Sequence, residues 1–443
     1  MRGRGRNDDL RARLAALLAL HNVCEGGRYL DEAFAAALRP YGDLSPSDRA
    51  FARLLVTTSL RRLGQIDSII NPFLADPKRP LPHRVRHALR LGAAQLLFLG
   101  TPPHAAVDTT VRLVAEDQAP EVRRLKGLVN AVMRRISREG AEIAAAEDAP
   151  RLNTPPWLWE SWERRFGSRV TKDIAAAHLD EPPLDLTIRP GVDRDSLSRE
   201  ITEHGIAAEP SPSGGIRLRQ AGVVEQLPGY DRGEWWVQDA AAALPARLMP
   251  IEAGQRVADL CAAPGGKTAQ LAAAGARITA LDVSERRLEL VRANLARLKL
   301  QAEVVAADAA SFRPDQLFDH VLLDAPCMAT GTLRRHPDGF VLKNRRDLAS
   351  LVEGQRRLLD AAAEMVKPGG TLLYCVCSLE AEEGAEQIEN FLSRRKDFAR
   401  AAIAPDELPP AFGDAVTAAG DVQTLPFMAG GVDGFFIARL TRP

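Results

Sequence analysis

The sequence predicts a multidomain protein: an all-α helical bundle, a small α+β module, and an α/β domain on a doubly wound, Rossmann-like sheet. Three observations carry that reading. Apolar residues recur at three- and four-residue intervals almost throughout residues 8–138, the period of a helix with one buried face. From about residue 250, short aliphatic runs alternate with helical stretches, the order that builds a parallel sheet covered on both faces. A length of 443 residues supplies two to three cores. With 46% hydrophobic and 26% charged residues, the composition excludes a disordered, collagen-like or membrane-embedded chain.

The bundle comes first, its clearest periodic segments being 10–23, 51–63, 85–98 and 122–136. In Leu44-Ser45-Pro46-Ser47-Asp48, Ser45 is the expected N-cap, Pro46 fits the first helical position, and Asp48 sits where a capping-box acid reaches back. Arg2, Arg4 and Arg6 precede an apolar run at 14–20, superficially a signal peptide. That run is short, Asp8 and Asp9 acidify its approach, and no A-x-A site follows, so it reads as a buried helix face. No membrane span is expected, because no uninterrupted apolar stretch is long enough.

Formal charge is zero, 58 Lys+Arg against 58 Asp+Glu, which taken alone speaks against a nucleic-acid partner. The balance is uneven along the chain. Residues 1–145 hold 23 basic and 15 acidic side chains, net +8, and the remainder is −8. The excess falls on the bundle, where it can attract phosphate. Cys24, Cys261, Cys327, Cys375 and Cys377 are an odd, scattered set without a C-x-x-C pair, which points to a reducing compartment and a cytoplasmic protein. Without paired knuckles, no zinc or other metal is expected. Cys24, far from any motif, reads as a core residue.

Residues 139–156 lose the periodicity and close on Thr154-Pro155-Pro156, a linker composition. The bundle is therefore expected to span 1–142. Residues 143–235 read as a linker plus a small α+β module, with a Trp-rich helix (Trp157, Trp159, Trp162) and strand-like runs at 184–188 and 216–218. Residues 236–443 read as the α/β domain, with strands expected at 256–260, 277–281, 303–306, 320–323 and 371–375.

In an open α/β sheet, ligands bind at the carboxyl ends of the strands. The first of these strands runs into Asp259-Leu260-Cys261-Ala262-Ala263-Pro264-Gly265-Gly266-Lys267-Thr268, where glycines admit a ligand to the backbone and the following helix offers free N–H groups to an anion. A Walker A loop fails because Cys261 stands where its first glycine belongs, and a dinucleotide fingerprint fails at Lys267 and Gln270. A mononucleoside cofactor survives. Asp282 ends the second strand as a ribose-binding acid, and Asp308 ends the third, beside the adenine edge. Together they suit S-adenosylmethionine, held by Cys261, Ala262, Ala263, Pro264, Gly265, Gly266 and Lys267, with Asp324 bordering the same pocket.

The fourth and fifth strands end in Asp324-Ala325-Pro326-Cys327 and Tyr374-Cys375-Val376-Cys377-Ser378. C5 of cytosine is a poor nucleophile, and a thiolate added at C6 converts the ring into an enamine that can accept a methyl group. An acid at N3 and N4, here Asp324, stabilises that adduct. A second group, here Cys327, can assist removal of the C5 proton and release of the thiol. The pair Arg334-Arg335 that follows can grip RNA phosphates.

The motifs DLCAAPGGKT, ALD, AAD, LLDAPC and YCVCS, with DGFFIARL at 433–440, make residues 250–443 resemble the RNA (cytosine-C5) methyltransferase family. That resemblance implies that Cys377 is the nucleophile and that Cys327 assists release. It departs at Val376, where the family usually has threonine. The first 140 residues are similar to the NusB type of RNA-binding helical domain. A NusB-like domain joined to this catalytic domain, with Gln238-Asp239 at its entry, resembles the ribosomal RNA small subunit methyltransferase B group. The likeness implies methylation of C5 of a specific cytosine in 16S ribosomal RNA by a monomer. A fold that had lost catalysis would have no use for two strand-end thiols, and an N-methyltransferase would carry an N-P-P-Y-like loop at 324–327.

Overall fold

A computed structural model describes residues 8–74, 80–219 and 221–443; Arg2, Arg4 and Arg6 lie outside the described residues. The chain divides into two compact units, Met1–Asp180 with Leu333–Asn344, and Glu181–Thr332 with Arg345–Pro443.

The first unit is helical. Helices Pro46–Arg61, Pro103–Ala115 and Lys126–Ala146 bury one face, Asp8–Cys24 and His83–Leu97 are covered almost all round, and Leu20, Leu55, Val129 and Met133 meet in a single cluster. The apolar run at 14–20 lies within the first of these helices. Ser45 caps its helix as expected, accepting the Asp48 N–H at 3.2 Å. The acid does not reach back to the backbone; it takes the Ser45 hydroxyl at 2.5 Å, because aspartate is one methylene shorter than the glutamate of a capping box. The expected linker is also helical. Lys126–Ala146 continues past the end of the apolar period on an alanine-rich tail that needs no buried face, and Ala149–Asn153 and Pro156–Ala177 follow.

Leu333–Asn344 packs within this first unit, where the Asp338 carboxylate accepts the Leu30 N–H at 2.9 Å and the Arg334 carbonyl accepts from Arg61 at 3.0 Å. Arg334 is 2% exposed, which corrects the reading of it as a phosphate grip, whereas Arg335 beside it is half-buried and His336 exposed.

The second unit holds two sheets. Strands β1 (Leu184–Ile188), β2 (Ala208–Pro210), β3 (Ile216–Leu218) and β4 (Trp235–Val237) form an antiparallel sheet in the order β2-β3-β1-β4. The larger sheet contains β5 (Arg256–Leu260), β6 (Arg277–Asp282), β7 (Glu303–Ala306), β8 (Phe318–Asp324), β9 (Val366–Val376), β10 (Ala399–Arg400), β11 (Val422–Gln423) and β12 (Phe436–Thr441). Its order is β10-β12-β9-β8-β5-β6-β7, with β11 also on β12. Strands β5 to β9 run parallel and β12 lies antiparallel to β9. The α/β class read from the sequence is therefore realised as a mixed sheet. Its strand order reverses beside β5, whose neighbours are β6 and β8, so the crevice for a ligand opens at the carboxyl ends of those three strands. A buried Arg217–Asp185 ion pair ties the small sheet to the large one, since Arg217 also donates to the carbonyls of Ala429, Gly430 and Gly431.

Candidate active site

The turn after β5 opens the crevice. Cys261 sits in the left-handed region at φ +62° and Gly265 at φ +99°. At Gly265 a Cβ would meet Val291 at 3.2 Å, so glycine serves both the backbone sign and the close approach of the next helix. That helix, Gly266–Ala273, presents its first N–H groups at the turn. Asp282, at the end of β6, is buried; its carboxylate accepts the Ala263 N–H at 3.3 Å and the Ser284 N–H at 3.0 Å. Asp308 is exposed, and its carboxylate caps its own turn by accepting the Ala310 N–H at 2.9 Å.

Lys267 reaches across to Asp324, at the end of β8, with Nζ 2.7 Å from Oδ2, and stands 5.2 Å from the Phe435 ring centre. Burial works against its charge, but Asp324 and Cys375 hold its pKa above the ordinary lysine value. The Cys375 thiol, pushed up by burial and then by Asp324, donates to the other carboxylate oxygen at 3.5 Å. Behind this group, burial pushes Asp259 up to about 7, and the Thr268 hydroxyl donates to it at 2.5 Å.

The second cluster is the thiol pair. Cys327 and Cys377 are half-buried with their sulfurs 3.5 Å apart. The hydrogen bond to Cys377, followed by burial, raises the Cys327 pKa, so Cys327 keeps its proton. Its loop is fixed on both sides. Gln355 donates to the Pro326 carbonyl at 2.9 Å, and Met328 donates its N–H to Glu383 at 2.9 Å. Gln355 also donates to Glu383 at 2.8 Å, joining the two clamps. Further on, the Gly331 N–H donates to the Cys377 carbonyl at 3.0 Å. A Cβ at Gly331 would lie 2.0 Å from the Gly434 carbonyl oxygen, so glycine is obligatory where these two backbones cross.

Of the residues chosen from sequence, Lys267 meets Asp324, Cys327 meets Cys377, and Asp282 meets the 261–267 turn, whereas Asp308 bonds within its own turn. Gln355, Glu383 and Phe435 were missed.

Residues 246–441 match the family model described as 16S rRNA methyltransferase RsmB/F, and residues 10–138 match the NusB family. The ribosomal RNA small subunit methyltransferase B of Erwinia tasmaniensis is 36% identical over 440 residues, 97% of this chain and 98% of that protein. The chain belongs to the ribosomal RNA small subunit methyltransferase B family. The protein of that name from Cronobacter sakazakii is 34% identical, covering 97% of this chain and 98% of its own length. Among solved structures, PH0851 aligns over 99% of this chain and 100% of its own with a TM-score of 0.77 at 21% identity, a likeness of fold. The structure of NSun6 from Pyrococcus horikoshii with SFG aligns over 65% of this chain and 98% of its own, with a TM-score of 0.57 at 18% identity.

Within this RsmB/F-type methyltransferase, the departure at Val376 has a structural account. Val376 is buried in the apolar cluster of Tyr374, Phe391 and Phe436, whereas Cys375 belongs to, and Cys377 packs against, the cluster on the other face. A valine suits that apolar position, and a hydroxyl there would point away from Cys377.

Proposed function

We propose that this chain methylates C5 of a cytosine in 16S ribosomal RNA through a covalent adduct between Cys377 and C6, as a cytoplasmic monomer whose helical unit holds RNA. The observation that carries this reading is the 3.5 Å contact between a thiol that keeps its proton, Cys327, and a second strand-end thiol, Cys377. Cys377 gives its proton to solvent, its thiolate Sγ forms the bond to C6, and the C5=C6 electron pair moves to C5. The Asp324 carboxylate accepts from the exocyclic N4 amine, and the Lys267–Asp324 pair supplies the proton that settles on N3. Once C5 carries the methyl group, a water takes the C5 proton, and the C5–H pair re-forms C5=C6 as the Sγ–C6 bond breaks with its electrons on Cys377. N3 returns its proton to the Lys267–Asp324 pair, and Cys327 protonates the departing Cys377 thiolate and recovers a proton from that water. The target base must leave its stack to present C6.

S-adenosylmethionine, when bound, supplies the methyl group as a sulfonium. The donor set fits it: Gly266 opens the helix whose first N–H groups can meet a carboxylate, Asp282 ends β6, and Asp308 follows the adjacent parallel strand β7. Cys261, Ala262, Ala263, Pro264 and Lys267 complete that cradle.

The test is RNA carrying 5-fluorocytosine at the target, with cofactor present. A covalent adduct is expected and Cys377→Ala abolishes it; persistence of the adduct in that variant overturns the assignment. With ordinary cytosine, Cys327→Ala accumulates enzyme attached to RNA, and normal turnover by that variant removes the role given to Cys327.

A further inference from the structure

Most cations of the helical unit are committed. Arg11 pairs with Asp43, Arg53 with Asp31, Arg90 with Asp67, Arg84 with Asp117, Arg112 with Glu116 and Arg135 with Glu139. Arg134 and Arg138, like Arg28, Arg39, Arg124 and Lys126, are exposed and form no side-chain hydrogen bond or ion pair among the described residues; what sets these two apart is a shared groove. They stand one turn apart on the helix Lys126–Ala146, about 6 Å along its axis, and line a groove of about 510 Å³ whose other wall is the helix Pro103–Ala115. His104 and Asn130 add hydrogen-bonding groups, Val107 adds apolar surface, and Asp108 is the one acid among the lining residues.

We propose that this groove binds the phosphate backbone of the substrate RNA. The net +8 of residues 1–145 is what the pairs leave over, and here two unpaired guanidinium groups project from neighbouring turns of one rigid helix. Each can take a phosphate through two parallel N–H bonds. Asn130 and His104 suit the sugar and phosphate oxygens between them, and the apolar floor suits a ribose face. A backbone grip of this kind reads no sequence; it anchors the RNA while the second unit carries the chemistry. The proposal rests on RNA being the substrate.

The experiment compares the full chain with its R134A/R138A double variant, both positions being exposed and the thermal transition serving as a check on folding. Binding to a small-subunit ribosomal RNA fragment is measured over a salt series. The double variant is expected to bind about tenfold more weakly at low salt, with a log–log salt slope shallower by about 1.4, at ~0.7 for each single-strand phosphate no longer neutralised. An unchanged affinity and slope overturns the proposal. So does an unchanged RNA slope accompanied by abolished binding to poly-glutamate, which assigns the groove to an acidic protein. Trapping on 5-fluorocytosine RNA at saturating RNA separates this from the catalytic reading. The adduct is expected in both proteins; its absence from both defeats the catalytic reading, and the salt slope still decides the groove.

Discussion

Cys327 has a fixed position because its two neighbours are held by their backbones, the Pro326 carbonyl by Gln355 and the Met328 N–H by Glu383. Burial pushes the Glu383 carboxyl up, while the Ser378, Met328 and Gln355 hydrogen bonds pull it back. Gln355→Ala removes one donor from both the exposed Pro326 and the buried Glu383, leaving one buried acceptor short, at a cost of about 1–3 kcal/mol in stability. The loop should then release the adduct slowly: enzyme–RNA complex accumulates while RNA affinity stays unchanged, as denaturing gels and equilibrium binding will report. A lower turnover without accumulated complex would count against a positioning role. The thiols, Lys267 and the strand-end acids were legible in the sequence because reactive residue types stood at the ends of aliphatic runs. Glu383 was not, since Glu380, Glu382, Glu383 and Glu386 together read as a solvated face. Gln355 looks like one more polar residue of an amphipathic helix. Only the tertiary packing of Arg345–Met365 on the sheet buries both.

At the scale of elements, the five parallel strands were read to within a few residues because Gly, Pro or Asp punctuates short aliphatic runs. The antiparallel strands β10 to β12 carry no such signal. They are short, irregular in period, and defined by pairing with distant residues. The helical residues within 139–153 were missed for the opposite reason: alanine propensity sustains Lys126–Ala146 where no apolar stripe marks it. The Trp-rich helix that follows was expected, and its end carries a pH response. His178, just past Pro156–Ala177, is fully buried between Trp162 and Phe340, and neither ring nitrogen has a hydrogen-bond partner among the described residues. Burial, helped by the charges of Arg334 and Arg61, pushes its pKa down to about 3. Above the unfolded value near 6.5 both states are neutral. Below it the unfolded chain takes a proton that the folded chain refuses, so stability falls as pH drops from about 6.5 toward 3, by about 2 kcal/mol at pH 5. His87, also pushed down to about 3, adds to the same loss. His178→Phe, keeping an aromatic ring among aromatics, should make the melting temperature of the helical unit less sensitive to pH between 6.5 and 5. An identical pH profile in the variant would rule out His178 as a source.

At the scale of the whole molecule, one compact unit is discontinuous in sequence. The chain leaves the second unit after Thr332 and returns at Arg345, twelve residues that cluster with the first unit. No composition shift marks this excursion; it begins in the loop after Asp324-Ala325-Pro326-Cys327 and reads there as part of the catalytic segment. Three of its anchors are partners from the helical unit: Leu30 for Asp338, Arg61 for the Arg334 carbonyl, and His178 for Phe340. A chain of residues 181–443 therefore keeps the sheet and loses every one of these anchors. Limited trypsin digestion should cut that chain first at Arg334 or Arg335, while the full-length chain is protected there. Lys267, buried against Asp324, supplies the control, because resistance at that bond shows that the sheet has folded. Cleavage at 334–335 with equal rates in both chains, Lys267 remaining protected, would show that the helical unit does not hold the segment. Protection that returns when residues 1–180 are added in trans would show that those anchors, and not chain continuity, keep Arg334 buried.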